Sequence, residues 1–260
     1  ARTVDVLLQQ ILQYQADLLL PFTRISAMLM VMAGMGGKSI PGPIKTAYAV
    51  AFTIMVMPVL PPSPFTNLFS FELVIRMAQQ VMIGSAIGFV SIVFLQVFVI
   101  AGQAIATQSG LGFASMVDPT NGMNVPAVGQ FYLILSTLMF WAVDGHLTML
   151  QMVVQSFYLL PITEEWYATG SFYQLAEFGG WMFAAALVLA LAPLIAMLVI
   201  NLSFGIMTRA APQLNIFSIG FPFSMMSGLI VMWLTMENFV FHFDNNWQRS
   251  LEMMCTLIGC

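Results

Sequence analysis

Apolar positions run along this chain in long blocks, at roughly 18–33, 47–60, 73–101, 125–143, 147–160, 178–205 and 217–236. None of the blocks alternates apolar and polar residues, as the strands of a membrane barrel do. The pattern therefore predicts helices. A helix needs about 20 apolar residues to cross a bilayer, so the blocks at 47–60 and 147–160 are too short and the one at 73–101 is long. The block at 178–205 carries Pro193, which is expected to remove a helix hydrogen bond and bend the axis. Short runs bounded by Pro and Gly predict kinked helical hairpins. "MPVLPPSPF" (57–65) closes one and "MGGKSIPGPIK" (35–45) opens another. Backbone that is not helical at membrane depth must be buried in protein or line water. These hairpins accordingly demand cover from partners.

One stretch breaks the pattern more sharply. "GLGFASMVDPTNGMNVP" (110–126) places three glycines, two prolines, one aspartate and two asparagines between two apolar blocks. Asp118-Pro119-Thr120-Asn121-Gly122 has the residue chemistry of a tight turn. Gly110 and Gly112 free the backbone just before two bulky apolar residues, Phe113 and Met116. The residues themselves admit two readings, a plain connector between helices or a loop folded back into the protein.

Composition settles the class. Of the 260 residues 60% are hydrophobic and 7% charged, against about 25% charged in soluble domains. The surface of a soluble monomer could not be wetted by so few charges, so the chain reads as an all-α integral membrane protein. Seven basic and eleven acidic residues leave a net charge of −4, with no basic footprint for nucleic acid or anionic lipid. Lys38, Lys45 and Arg209 on one side are balanced by Arg2, Arg76 and Arg249 on the other, so the positive-inside rule leaves the orientation open. The first residues lack the pattern of a signal peptide, and the missing initiator Met reads as trimmed ends. Cys255 and Cys260 read as two separate tail thiols, with a disulfide between them the less favoured alternative, and no cysteine–histidine spacing suggests a metal site.

Few residues suggest chemistry. Phosphate loops, metalloprotease helices and nucleophile elbows are missing from the sequence, and no cofactor is implied. Asp144-Gly145-His146 offers an acid and a histidine without a nucleophile at a supporting spacing, which leaves a membrane enzyme a weak rival. Arg76 lies four residues from Glu72, a salt-bridge spacing on one helix face. Arg24 reads equally as a pore-facing or interchain contact and as a member of a structural salt bridge. Met-rich "MLMVMAGM" (28–35) fits an adaptable gasket or plain apolar filling. Small residues four apart (Gly84 and Gly88; Gly102, Ala106 and Gly110; Ser224 and Gly228) predict close helix crossings, within the chain or between chains.

Three stretches together resemble one family. "GLGFASMVDPTNGMNVPAVGQF" (110–131), "DGHLTMLQMVVQSFYLLP" (144–161) and "TRAAPQLNIFSIGFP" (208–222) are similar to the signature regions of the FliR proteins of flagellar export gates and their virulence-secretion relatives, SctT. The Gly-Lys-x-x-Pro loop at 37–41 and the order of elements extend the likeness over nearly the whole chain. The resemblance implies a non-enzymatic subunit of the type III export gate in the bacterial inner membrane, at the flagellar basal body. It implies a helical ring with FliP-like and FliQ-like subunits, FlhB- and FlhA-like components beside it, and unfolded proteins as cargo. It also implies a FliP-like part (about 1–177) joined to a FliQ-like part (178–260). The loop would then be a pore plug made of Gly110, Leu111, Gly112, Phe113, Ala114, Ser115, Met116, Val117, Asp118, Pro119 and Gly122. His146, Ser156, Arg209, Pro212, Gln213 and Asn215 match other family positions, and the resemblance implies structural or subunit contacts for them. A virulence-type gate and a stand-alone small-solute transporter are the alternatives.

Overall fold

A computed structural model describes residues 2–37, 40–62, 71–113, 115–117, 124–162, 169–210 and 220–260. Eight helices make up almost all of it: α1 (Arg2–Val31), α2 (Gly42–Val56), α3 (Phe71–Ser109), α4 (Ala127–Ala142), α5 (Gly145–Leu159), α6 (Thr169–Ala210), α7 (Phe221–Thr235) and α8 (Glu237–Ile258). Two three-residue strands, β1 (Ser115–Val117) and β2 (Asn124–Pro126), are the only strands among the described residues. α3, the segment 173–209 of α6, and α2 with its short 3-10 extension are long and apolar enough to cross a membrane. Counting bent pairs raises the number to five: α4 and α5 meet at 64°, α7 and α8 at 61°. Both bends fall at breaks between helices. α6 continues as helix through Pro193, and α1 continues through Pro21.

The helices sort into two compact units. The first comprises Ala1–Ile92, Phe140–Glu177 and Ser250–Cys260. Its interior is built where α1 meets the first half of α3. A Cβ on Gly84 would strike the Arg24 carbonyl, and one on Gly88 would lie 2.8 Å from the Met28 carbonyl. Only glycine lets the two backbones approach so closely, and the small-residue spacing therefore marks a crossing within the chain. Met28, Met32, Ile87 and Val90 are buried along this seam, so half of the Met-rich stretch is ordinary core. The backbone amide of Ala33 adds a hydrogen bond to Ser91 Oγ at 2.9 Å.

The α1–α2 hairpin closes as its Gly/Pro chemistry predicts. Pro41 leads into α2 in extended conformation, with Pro43 in the first turn, where proline's missing N–H costs nothing. Lys45 Nζ reaches back to the carbonyls of Gly36 and Gly37, at 2.9 and 2.8 Å. At the chain's end Gly259 turns left-handed (φ +85°) and brings Cys260 over the last turn of α8. Both Gly259 and Cys260 donate to the Cys255 carbonyl. The two cysteines are joined as a disulfide with a Cα–Cα distance of 4.9 Å. This corrects the reading of two separate thiols: the left-handed glycine, rather than the spacing, brings the sulfurs together.

The second unit comprises Val93–Met139 and Phe178–Arg249. Aromatic packing holds its centre. Phe94 and Phe98 of α3, one turn apart, meet Phe239, Phe243 and Trp247 of α8 with ring centroids 5.1–5.8 Å apart. Each such pair adds about 0.5–1.5 kcal/mol beyond the area it buries. The apolar blocks missed α8, because its polar face (His242, Asp244, Asn245, Gln248) interrupts them. The 239/243/247 spacing that builds its inner face is helical. Elsewhere in the unit Gly102 meets Gly129 across the α3–α4 crossing, where an added Cβ would lie 2.7 Å from the Gly129 Cα.

Candidate functional site: the loop between α3 and α4

α3 runs 39 residues without interruption and stops at Ser109. Gly110 ends it in the left-handed region (φ +78°), a conformation that other residues adopt at a cost. Leu111–Phe113 form one 3-10 turn, and β1 follows at once. β1 pairs antiparallel with β2 in the register Ser115 to Pro126, Met116 to Val125 and Val117 to Asn124. The loop is therefore a small ribbon that pairs its own backbone across. That property matters in an apolar setting, where each unmet backbone group costs several kcal/mol. Ala114, Asp118, Pro119 and Gly122 lie outside the described residues, as do the side chains of Phe113 and Met116.

The root of the loop is polar and closely packed. Ser109 is fully buried. Its carbonyl and that of Gln108 accept hydrogen bonds from Ser224 Oγ on α7 (3.4 Å) and Asn201 Nδ2 on α6 (3.1 Å). α7 lies so near that a Cβ on Gly228 would strike the Ser109 side chain. The sequence spacing flagged Ser224 and Gly228 as a helix crossing. It did not reveal Asn201, although a lone amide inside the apolar run 178–205 was a usable signal.

The remaining family positions fall elsewhere. Ser156 is fully buried in the first unit and belongs to a cluster around Arg24. Arg24 Nε donates to Gln80 Oε1 at 2.7 Å. Its Nη1 donates to the Ser156 carbonyl and hydroxyl at 2.9 and 3.0 Å. Its Nη2 donates to the Leu160 carbonyl at 3.0 Å. The guanidinium also lies 4.2 Å from the centre of the Phe157 ring, a cation–π arrangement. Arg24 is thus buried within the chain and in no ion pair among the described residues: its charge is met by the carbonyl end of α5, the negative end of that helix's dipole. Arg76 does pair with Glu72, at 3.4 Å, and donates to Gln79 at 3.2 Å.

The His146 ring packs against Trp141 at a tilt of 34°, with ring centres 4.5 Å apart. Its Nδ1 is buried with no hydrogen-bond partner among the described residues. Asp144, at the bend before it, takes a left-handed backbone (φ 55°). Arg209 is exposed in the last turn of α6. Pro212, Gln213 and Asn215 lie outside the described residues.

Comparison with known proteins places this arrangement. Residues 16–250 match the family described as bacterial export proteins, family 1. Relatives include the flagellar biosynthetic protein FliR of Pectobacterium carotovorum, 37% identical over 214 residues, with 82% of each chain covered. The protein of that name in Escherichia coli K12 is 34% identical over 82% of this chain and 81% of its own. The one in Bacillus subtilis is 24% identical over 93% of this chain and 94% of its own. The chain belongs to the bacterial export proteins of family 1, the family of the flagellar FliR proteins.

Proposed function

We propose that this chain is a core subunit of the flagellar protein export gate, helping to form the inner-membrane channel for unfolded flagellar substrates and closing it with the 110–122 loop. The observation that carries this reading is the self-paired ribbon at the end of α3. A glycine-flanked segment that pairs its own backbone is suited to an interior position and to displacement as a unit. The exposed apolar faces of α6 and α7 support it from another direction. Leu191, Leu198, Leu202 and Ile206 on α6, and Met226, Ile230 and Trp233 on α7, are about half exposed or more. Contiguous apolar surface of this kind marks contact with lipid or other subunits.

In this reading FliP-like and FliQ-like subunits cover those faces in a hetero-oligomeric ring. FlhB- and FlhA-like components act beside it, and the energy for export comes from elsewhere. The chain performs no chemistry of its own. Residues 1–177 correspond to a FliP-like part and 178–260 to a FliQ-like part, a division by resemblance that the two packed units cross. His146, Ser156, Arg209, Pro212, Gln213 and Asn215 serve structure or subunit contact, as Ser156 does in binding Arg24.

Co-expression with FliP-like and FliQ-like partners, purification in mild detergent and native mass spectrometry test the assembly. A complex containing all three chains is expected. A stable particle of this chain alone would favour a stand-alone transporter. In cells that assemble the gate, deletion of 110–122 is expected to raise ion leakage across the inner membrane. Unchanged leakage from an intact complex would remove the plug assignment.

A further inference from the structure

The charges of this chain leave its orientation undecided. Arg209 and Arg249 are the only Lys or Arg residues beyond Arg76. Arg209 is exposed at the end of α6, and Arg249 is exposed on α8 near Cys255. α7 and α8 form one bent span between them, so each end of that span carries one basic residue. The positive-inside rule needs an excess on one side and finds none here.

The end of α8 carries a second kind of evidence. Met253, Met254, Leu257 and Ile258 are buried and hold the last turns in place. Beyond them Gly259 turns left-handed. A Cβ there would meet nothing within 4 Å, so glycine serves the hand of the turn rather than a close approach. The Gly259 and Cys260 amides donate to the Cys255 carbonyl at 2.8 and 3.0 Å. This turn sets the cysteines at a Cα–Cα distance of 4.9 Å, within the range of about 4.4–6.8 Å that a disulfide requires. Cys260 is exposed and Cys255 half-buried, with Glu252 and Thr256 exposed beside them. The pair is therefore open to an oxidant or a reductant from outside the chain. On the cytoplasmic side glutathione and thioredoxin would hold such a pair reduced, whereas disulfides persist in oxidising compartments.

We infer that Cys255 and Cys260 are a site of oxidative modification on the extracytoplasmic side of the membrane, which places the end of α8 on that side and the end of α6, with Arg209, on the cytoplasmic side. The oxidant is the disulfide of an extracytoplasmic thiol oxidase. The exposed Cys260 thiolate attacks it to give a mixed disulfide, and Cys255 resolves that intermediate. One S–S bond forms in this chain as one breaks in the oxidase, which leaves as a dithiol carrying the two electrons and two protons. The inference holds whether or not the chain closes a channel, and its failure would leave the gate reading untouched.

The chain has only these two cysteines, so counting thiols tests it directly. Thiols are trapped by acid in living cells, and a maleimide bearing a polyethylene glycol tag reports them as a shift on a denaturing gel. No shift is expected from wild-type cells, and a shift of two tags after reduction. In cells lacking the thiol oxidase, the two-tag shift is expected without reduction. Two tags in untreated wild-type cells would overturn the inference, and so would a pair that stays oxidised without the oxidase.

Sidedness is read separately in spheroplasts. Cys255→Ser leaves Cys260 as the sole thiol, and a membrane-impermeant maleimide is expected to label it before the membrane is opened. Thr208→Cys, in a chain whose native cysteines are both serine, is expected to be labelled only afterwards. The opposite order at either position would overturn the assigned orientation. Should Cys255→Ser fail to assemble, the trapped state of the wild-type pair in the two strains decides the matter.

Discussion

Two helix ends in this protein are closed from outside by polar side chains, and they are closed differently. The carbonyl end of α5 is held by a cation, Arg24, which reaches the Ser156 and Leu160 carbonyls together with Gln80. The carbonyl end of α3 is held by neutral groups, Asn201 and Ser224. Burying a guanidinium is expensive, and it persists only with its hydrogen bonds made. Arg24 is fully buried, so its bonds form a tie that is costly to break. Asn201 and Ser224 are only half-buried, and a neutral amide or hydroxyl released from its partner loses far less. The end of α5 is thus the costlier joint to break and the end of α3 the cheaper one.

Substitutions graded in size sharpen this contrast. The largest effect is expected for Arg24→Ala, which takes the donor from Gln80 Oε1 and the Leu160 carbonyl, while the Ser156 carbonyl keeps the Leu160 amide, and opens a cavity beside Phe157. Each buried acceptor left unmet costs about 1–3 kcal/mol. Much reduced accumulation and a lowered melting temperature of the purified gate are therefore expected, and a wild-type melt would show the joint to be dispensable. Gly84→Ala comes next. Its Cβ meets backbone, the Arg24 carbonyl, and overpacking of this kind costs about 1–3 kcal/mol; limited proteolysis of α1 and α3 reports it. Asn201→Leu stands below both, because it removes one net hydrogen bond to the end of α3, about 0.5–1.5 kcal/mol, and a slightly lowered melting temperature of the gate reports it. The smallest effect is expected for Glu72→Gln. Its ion pair with Arg76 is 3.4 Å long and the carboxylate is half exposed, so the change is under about 1 kcal/mol. A large destabilisation there would reveal a burial of Glu72 that this chain by itself does not provide.

α3 and α6 show why hydropathy stops short of the fold. Both are strongly apolar, yet the most apolar window is 67% buried in α3 and 22% buried in α6. Lipid and protein interior are equally apolar, so no feature of composition separates a core helix from one that faces outward. α8 fails in the opposite sense: its polar face hides a buried stripe of Phe239, Phe243 and Trp247.

The class, the apolar helices other than α8, the glycine crossings at Gly84, Gly88, Gly102 and Gly228, the break at 110–126 and the family likeness can all be read from the residues in order. All of these are local patterns, legible because backbone chemistry and hydrophobicity act over a few residues. Packing of distant segments fixed the rest. It chose the partners of Arg24, which lie 56 to 136 residues away, joined Cys255 to Cys260 through the turn at Gly259, and paired the loop's backbone with itself. It also assigned Asn201 and Ser224 to the last carbonyls of α3. A hydrogen bond is satisfied by whatever donor the packing brings within about 3 Å, and which donor that is becomes known only once the helices are packed.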